Sequence, residues 1–407
     1  LQSHSPCIAD FVKGITKRAG FNRVKQQNTA KLIFLNFIVA QGHAVYLSLD
    51  NNFKVNMQAN PLVVGVDALR TTLNRLVNAG LISRVGGKNL PYGNGISTTI
   101  NPSPDLYKRL SALTVLFEYP QLVVLRTCGD NKKKVPIDYL DTMRSDTIKY
   151  ELQRYNSLLA KTKIELRDDT GAKIIETLVN PYLKRMFIDN DEVDSVGRPR
   201  FNAGGRLFGP WVSLRSYERP NIWIDGEPTV EEDYEASYVN VMYMAVTGAR
   251  YVGDPYEMRL SGKVIPRHIV KAVASMAVNN TSKLSAYKAF CADYDKLKQS
   301  TDPKKSAHYL DYQQYKLKDQ VDPVLDKFLA MHQPIAHLYL QGKELGNKVQ
   351  CLESDLVFSI VDELTWAGIP CLTVHDSIII SKKHQGLVSG LMDRTTFPDR
   401  ELVAWLI

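Results

Sequence analysis

Ile369-Pro370-Cys371-Leu372-Thr373-Val374-His375-Asp376-Ser377-Ile378-Ile379-Ile380-Ser381 reads as two apolar strands joined by a tight polar turn, a β-hairpin with a carboxylate at its tip. Apolar strands on both sides would hold Asp376 rigidly, as a metal ligand must be held. A buried acid at such a place otherwise needs an explanation.

Upstream of the hairpin, Val230-Glu231-Glu232-Asp233-Tyr234 ends an apolar and acidic stretch, and Val239 to Ala245 follows as a buried helix. An acid at a strand end before a helix can hold a metal at a sheet edge. Between the two acids, helical spacing from Arg267 places Arg267, Lys271, Ser275 and Asn279 near one face. Two cations one turn apart can hold a triphosphate, although such a face in isolation would simply be solvated.

Toward the N-terminus, residues 1–27 carry Lys13, Lys17, Arg18, Arg23 and Lys25 and read as a solvated basic arm. Residues 28–110 then read as a winged helix-turn-helix. A helix over Ala30–Gln41 is followed by a second with Leu69, Leu73, Leu76 and Val77 on one face and Gly80 as its C-cap. Strands over Leu81–Val85 and Ile96–Ile100 flank a tip from Gly86 to Gly95. Arg70, Thr72, Asn74 and Arg75 are expected on the exposed side of the second helix, with Arg84 and Lys88 on the wing, where phosphates could be met. A unit of this kind also serves as a protein-docking module or a cap. Residues 111–200 read as a helical connector and the only thumb-like candidate, with the lysine run Lys132-Lys133-Lys134 and an amphipathic helix from Tyr139 to about Leu166.

The 407 residues are 44% hydrophobic and 23% charged, enough for a sizeable core and more than one domain. An excess of 51 Lys+Arg over 43 Asp+Glu, a net charge of +8, favours polyanionic partners. The five cysteines are odd in number and form no Cys-x-x-Cys pair, so neither a disulfide framework nor a zinc site is indicated. The longest apolar runs, such as Leu32–Ala40, are far short of a membrane span, and no signal-peptide pattern is visible. A cytoplasmic protein without membrane partners is the expectation. The end at Ala404-Trp405-Leu406-Ile407 is abrupt, as in a fragment.

The order and spacing of these features resemble the palm and fingers of family A DNA polymerases, which are related to the single-subunit phage-type RNA polymerases. Gly205-Arg206-Leu207 resembles the Gly-Arg-Leu ahead of the palm. Asp233-Tyr234 resembles motif A, and Arg267-x3-Lys271-x7-Asn279-Asn280 resembles the motif B helix. Val349-Gln350-Cys351-Leu352-Glu353-Ser354-Asp355-Leu356 resembles the family's Val-Gln-Gly-x-x-x-Asp-Leu helix, and His375-Asp376-Ser377 resembles motif C. The likeness spans roughly residues 200 to 385.

The resemblance implies an α+β fold, with an antiparallel sheet carrying Asp233 and Asp376 in a palm over 201–407 and a helical fingers insertion at about 249–330. It also implies Asp233 and Asp376 as the ligands of two Mg²⁺ ions, for which Mn²⁺ could substitute, set about 3.5–4 Å apart for phosphoryl transfer. By the same likeness Lys271 is catalytic, neutralising charge at the transferred phosphate. Arg267, Tyr234, Tyr238 and Asn279 then bind the nucleotide, and Arg206, Gln350 and His375 bind the primer-template duplex. The implied partners are nucleic acid and (d)NTPs; the oligomeric state stays open.

Four positions depart from the family pattern. Asn279-Asn280 replaces Tyr-Gly at the end of motif B. Tyr238 stands where the family has its steric-gate Glu, and Ser377 follows the motif C acid where the DNA polymerases usually carry Glu. No pair of acids with proofreading-exonuclease spacing precedes the palm. The expected function is a compact, non-proofreading DNA polymerase of a phage or other mobile element. An RNA polymerase or primase on the same palm is the nearest alternative, and a DNA-binding replication initiator with a degenerate palm is the non-enzymatic one.

Overall fold

In the computed structural model the described residues are 6–21, 23–39, 45–47, 66–86, 98–113, 121–128, 134–178, 181–299, 303–314 and 321–395. The N-terminal unit comprises α1 (Pro6–Arg18), α2 (Val24–Val39), β1 (Val45–Leu47), α3 (Val66–Asn78), β2 (Ile82–Val85), β3 (Thr98–Pro102) and α4 (Pro104–Ser111). Its strands form an antiparallel sheet in the order β1-β3-β2. The solvated arm expected over 1–27 is corrected by α1. Ile8, Val12 and Ile15 recur at helical spacing and are buried with Phe34, Phe37, Leu73, Leu76 and Leu106, while Lys13 and Lys17 face solvent.

The exposed side expected for the helix that is now α3 is also corrected in part. Thr72 is fully buried, whereas Val77, expected on the core face, is exposed. Arg75 turns back, donates to the Gly20 carbonyl at 2.9 Å and lies 5.6 Å over the Phe21 ring. It thus ties α3 to the α1–α2 corner. Asn74 accepts from Arg84 at 3.0 Å. Lys88 and most of the expected wing tip lie outside the described residues, as do Lys132 and Lys133.

Residues 121–200 are not the expected helical connector. They form β4 (Val123–Cys128), β5 (Lys134–Ile137), a single helix α5 (Met143–Leu159), β6 (Ile164–Arg167), β7 (Ile174–Leu178) and β8 (Lys184–Ile188). α5 opens with a capping box between Thr142 and Ser145 and buries Ile148, Leu152, Tyr155 and Leu159 along one stripe. It ends before Leu166, whose segment is strand β6. With β9 (Gly204–Phe208), β8 completes a four-stranded sheet in the order β5-β4-β8-β9, in which β4 and β8 run parallel.

The rest of the chain is β10 (Ile222–Ile224), β11 (Glu227–Asp233), α6 (Ser237–Thr247), β12 (Met258–Leu260), β13 (Lys263–Ile265), α7 (Arg267–Val278), α8 (Lys283–Lys298), α9 (Pro303–Gln314), α10 (Val321–Met331), α11 (Lys343–Trp366), β14 (Cys371–Val374), β15 (Ser377–Ser381) and α12 (Gln385–Arg394). The architecture is α+β. A six-stranded antiparallel sheet runs β14-β15-β11-β10-β6-β7, so β6 and β7, from the expected connector, extend the sheet that carries the acids. Residues 249–330 hold the short β12–β13 ribbon and helices α7–α10.

α11 explains how these layers join. Val349, Leu352 and Leu356 belong to a core shared with α6, α7 and α10, and Val357, Ile360, Val361 and Leu364 to a second core beneath the six-stranded sheet. The helix is buried on both sides although polar residues, Glu353, Ser354 and Asp355 among them, lie within its buried stretch. Among the described residues no helix is long and apolar enough to cross a membrane.

Candidate active site

β14 and β15 pair through a two-residue turn, His375-Asp376, with Val374 opposite Ser377. Every residue of both strands is buried. Two further anchors hold the hairpin: the Trp211 indole donates to the Thr373 carbonyl at 2.8 Å, and the Tyr155 hydroxyl donates to the Cys371 carbonyl at 2.5 Å. Burying Leu372, Ile378, Ile379 and Ile380 contributes about 1.5–3 kcal/mol each. His375 takes a φ of 58°, a left-handed conformation uncommon outside glycine.

Asp233 arrives from the other direction. β11 pairs with β15 so that Asp233 stands opposite Ser377, and the Tyr234 amide donates to the Asp376 carbonyl at 3.3 Å. The two acids therefore share one end of the sheet. After Asp233 the chain turns into α6 through Ala236, also left-handed at φ 50°. This turn aims the Ser237 hydroxyl at the acids, where it lies 2.9 Å from Asp376 Oδ2 and 2.5 Å from Glu353 Oε1.

Although Asp233 is exposed at the strand end, partial desolvation by its surroundings and the facing charge of Asp376 push it up to about 6, an effect that the Lys271 charge opposes. Glu353 is 3% exposed. Burial and Asp376 push it up to about 7, against Ser237 and Arg206. Negative charge is thus crowded at the sheet end, as at a place built to meet cations. Among the described residues no group of three or more His, Cys, Asp and Glu side chains is arranged to hold a metal. Two carboxylates completed by phosphate oxygens and water are a donor set that suits Mg²⁺.

Arg206 reaches the same region from β9. Gly205 before it has φ 70°, and a Cβ there would lie 2.9 Å from both Arg185 and Phe187 and 3.3 Å from the Cys351 sulfur. Glycine therefore lets β9 lie against α11. With the Gln350 amide oxygen turned toward Arg206, it accepts from Nε at 3.0 Å and Nη2 at 3.3 Å. Nη2 is also 3.6 Å from Glu353 Oε2. Tyr238 sits in this group, its hydroxyl pushed up to about 12 by burial and by Glu353. His375 is pushed down by burial and by Arg206.

Lys271 is exposed on α7, one turn from Arg267 on the expected face. Arg267 pairs with Asp254 at 2.6 Å and lies 5.2 Å over the Tyr256 ring. Asn279 caps α7, donates to the Ser275 carbonyl at 2.9 Å and packs against Gly346, where a Cβ would lie 2.4 Å from its Oδ1. Tyr234 is not brought to the acids. Its hydroxyl donates to the Met392 carbonyl at 3.3 Å and its ring lies under Arg250, so it fixes α12.

Two residues here escaped the motif reading. Ser237 bridges two carboxylates, and Glu353 stood inside a quoted motif without a role. The available signal was an acid flanked by Leu352 and Ser354 in an apolar helix, a placement that demands a partner. No protein-family model, curated protein or solved structure matches this chain.

Proposed function

We propose that the chain is a template-directed nucleotidyltransferase, a compact DNA polymerase on a family A-like palm, with α7–α10 as fingers and the N-terminal unit as a winged helix that engages nucleic acid. One observation carries the reading: two acids far apart in sequence meet at one sheet end, and the charge of Lys271 reaches Asp233. Asp233 and Asp376 would hold two Mg²⁺ ions, which when bound activate the primer hydroxyl and stabilise the leaving pyrophosphate. Lys271 offsets charge on the transferred phosphate. Arg206 and Gln350 present donors to the minor-groove side of the nascent pair, and Tyr238 lies where a ribose 2′-hydroxyl would have to fit. Ser377 and the exchange of an acid for Tyr238 favour, as second reading, an RNA polymerase or primase on the same palm.

The test is primer extension with dNTPs or NTPs on DNA and RNA templates. The expected result is Mg²⁺-dependent dNTP incorporation on DNA, falling about a thousandfold in Asp233→Asn and in Asp376→Asn. Extension with NTPs alone moves the assignment to the second reading. A full rate in Asp376→Asn, or no incorporation with either Mg²⁺ or Mn²⁺, overturns the enzymatic assignment and favours a DNA-binding initiator.

A further inference from the structure

We infer that Glu353 is a specificity-determining positioning residue, linking Arg206, which faces the nascent base pair, to the metal-binding carboxylate of Asp376. The inference rests on the polymerase reading above. Its basis is a chain of polar contacts, one ion pair followed by two hydrogen-bond contacts. Arg206 Nη2 lies 3.6 Å from Glu353 Oε2, Glu353 Oε1 lies 2.5 Å from Ser237 Oγ, and Ser237 Oγ lies 2.9 Å from Asp376 Oδ2.

The ends of this chain differ in freedom. The Glu353 side chain is 3% exposed and that of Arg206 is 30% exposed. Glu353 is held by α11 between Leu352 and Ser354, both buried, and the Ser354 hydroxyl donates to the Gly205 carbonyl, next to Arg206. Gln350, three residues before Glu353 on the same helix, holds the Arg206 guanidinium from the other side. Arg206 is therefore the end that a duplex can move, and Glu353 the end that cannot move.

Ser237 sets the logic. A hydroxyl has one hydrogen to donate, and here two carboxylates compete for it. With Arg206 3.6 Å from Glu353, the Ser237 oxygen lies 2.5 Å from Glu353 and 2.9 Å from Asp376, so its hydrogen is shared between the two acids. A mispaired terminus that draws Arg206 toward itself leaves Glu353 as a buried acid without its cation, which favours its protonated form. Protonated Glu353 donates to the Ser237 oxygen, and the Ser237 hydrogen turns wholly onto Asp376. Asp376 gains a hydrogen bond that draws its charge away from the metal when the pair is wrong, which slows addition to that terminus.

The experiment compares matched with mismatched primer termini in wild type, Glu353→Gln, Ser237→Ala and the double variant, with thermal melting to confirm that each is folded. The readout is the ratio of kcat/KM values, which a purely structural defect lowers on both termini alike. The expected result is a mismatched-to-matched ratio about tenfold higher in each single variant and no higher in the double, because both remove the same link. An unchanged ratio in both folded single variants overturns the link while leaving the polymerase assignment standing. Absence of incorporation by the wild type overturns the assignment, and the link with it.

Discussion

Asp355 is 6% exposed and lies between two guanidinium groups. Arg144 Nη2 is 3.1 and 2.8 Å from its two oxygens, and Arg185 Nη2 is 2.9 Å from Oδ1. Arg185 also donates to the Gly205 carbonyl at 2.9 Å, so one carboxylate ties α5, β8 and β9 to α11. Removing it strands the buried Arg185 and leaves Arg144, 21% exposed, without its carboxylate. Asp355→Ala is expected to destabilise the chain by about 3–5 kcal/mol in denaturant unfolding; a loss below about 1 kcal/mol contradicts this role. The residue scale also shows what the sequence could reveal. Asp376 stood out because alternate-face and continuous apolar strands bracket it, and Asp233 because it closes an acidic strand ahead of an apolar helix. Glu353 did not. α11 is buried on both sides and mixes polar with apolar residues along its length, so a single periodicity cannot tell which buried side an acid faces, and its partners Ser237 and Arg206 come from remote segments.

At the scale of elements, the packing of α10 against the segment before β12 depends on one imidazole. His332 is fully buried beside Tyr243, Tyr251 and Phe328. The Pro255 carbonyl, 2.9 Å from Nε2, can only accept, so Nε2 carries the hydrogen and Nδ1 accepts from the Tyr243 hydroxyl at 3.0 Å. Protonation of Nδ1 would break that second bond and place a cation among rings. Burial accordingly holds His332 below its ordinary 6.5. The unfolded chain binds this proton more readily than the folded one, so the contribution to stability is complete above about pH 6.5 and declines as pH falls. Hydrogen exchange at the end of α10 should accelerate by up to about tenfold per pH unit below 6.5, after correction for intrinsic rates. An NMR titration giving His332 a pKa of 6.5 or higher contradicts this. Legibility was uneven among elements too. The hairpin and α7 were readable because their spacing is regular. α1 was hidden because Ile8, Val12 and Ile15 stand among lysines, and the strands between 121 and 188 because they are short and flank the charge-rich α5.

In the whole molecule, the apolar core of the N-terminal unit is built entirely from residues before 114, whereas the other two cores meet along α11. Separate cores unfold separately. Scanning calorimetry should show two transitions for the full chain, and a chain starting at residue 121 should keep the second within about 2 °C. One shared transition, or a truncated chain without cooperative melting, contradicts that division. The six-stranded sheet has a different consequence, which concerns synthesis. β11 pairs on one side with β10, its neighbour in sequence, but its other side must wait for β15, near the end of the described chain. During translation that waiting edge is open to a second nascent copy. Glu231, Glu232 and Asp233 occupy three of the five positions that β15 later covers. Acids repel an identical edge, so the strand that ends in Asp233 also guards the unfinished protein against aggregation on the polysome.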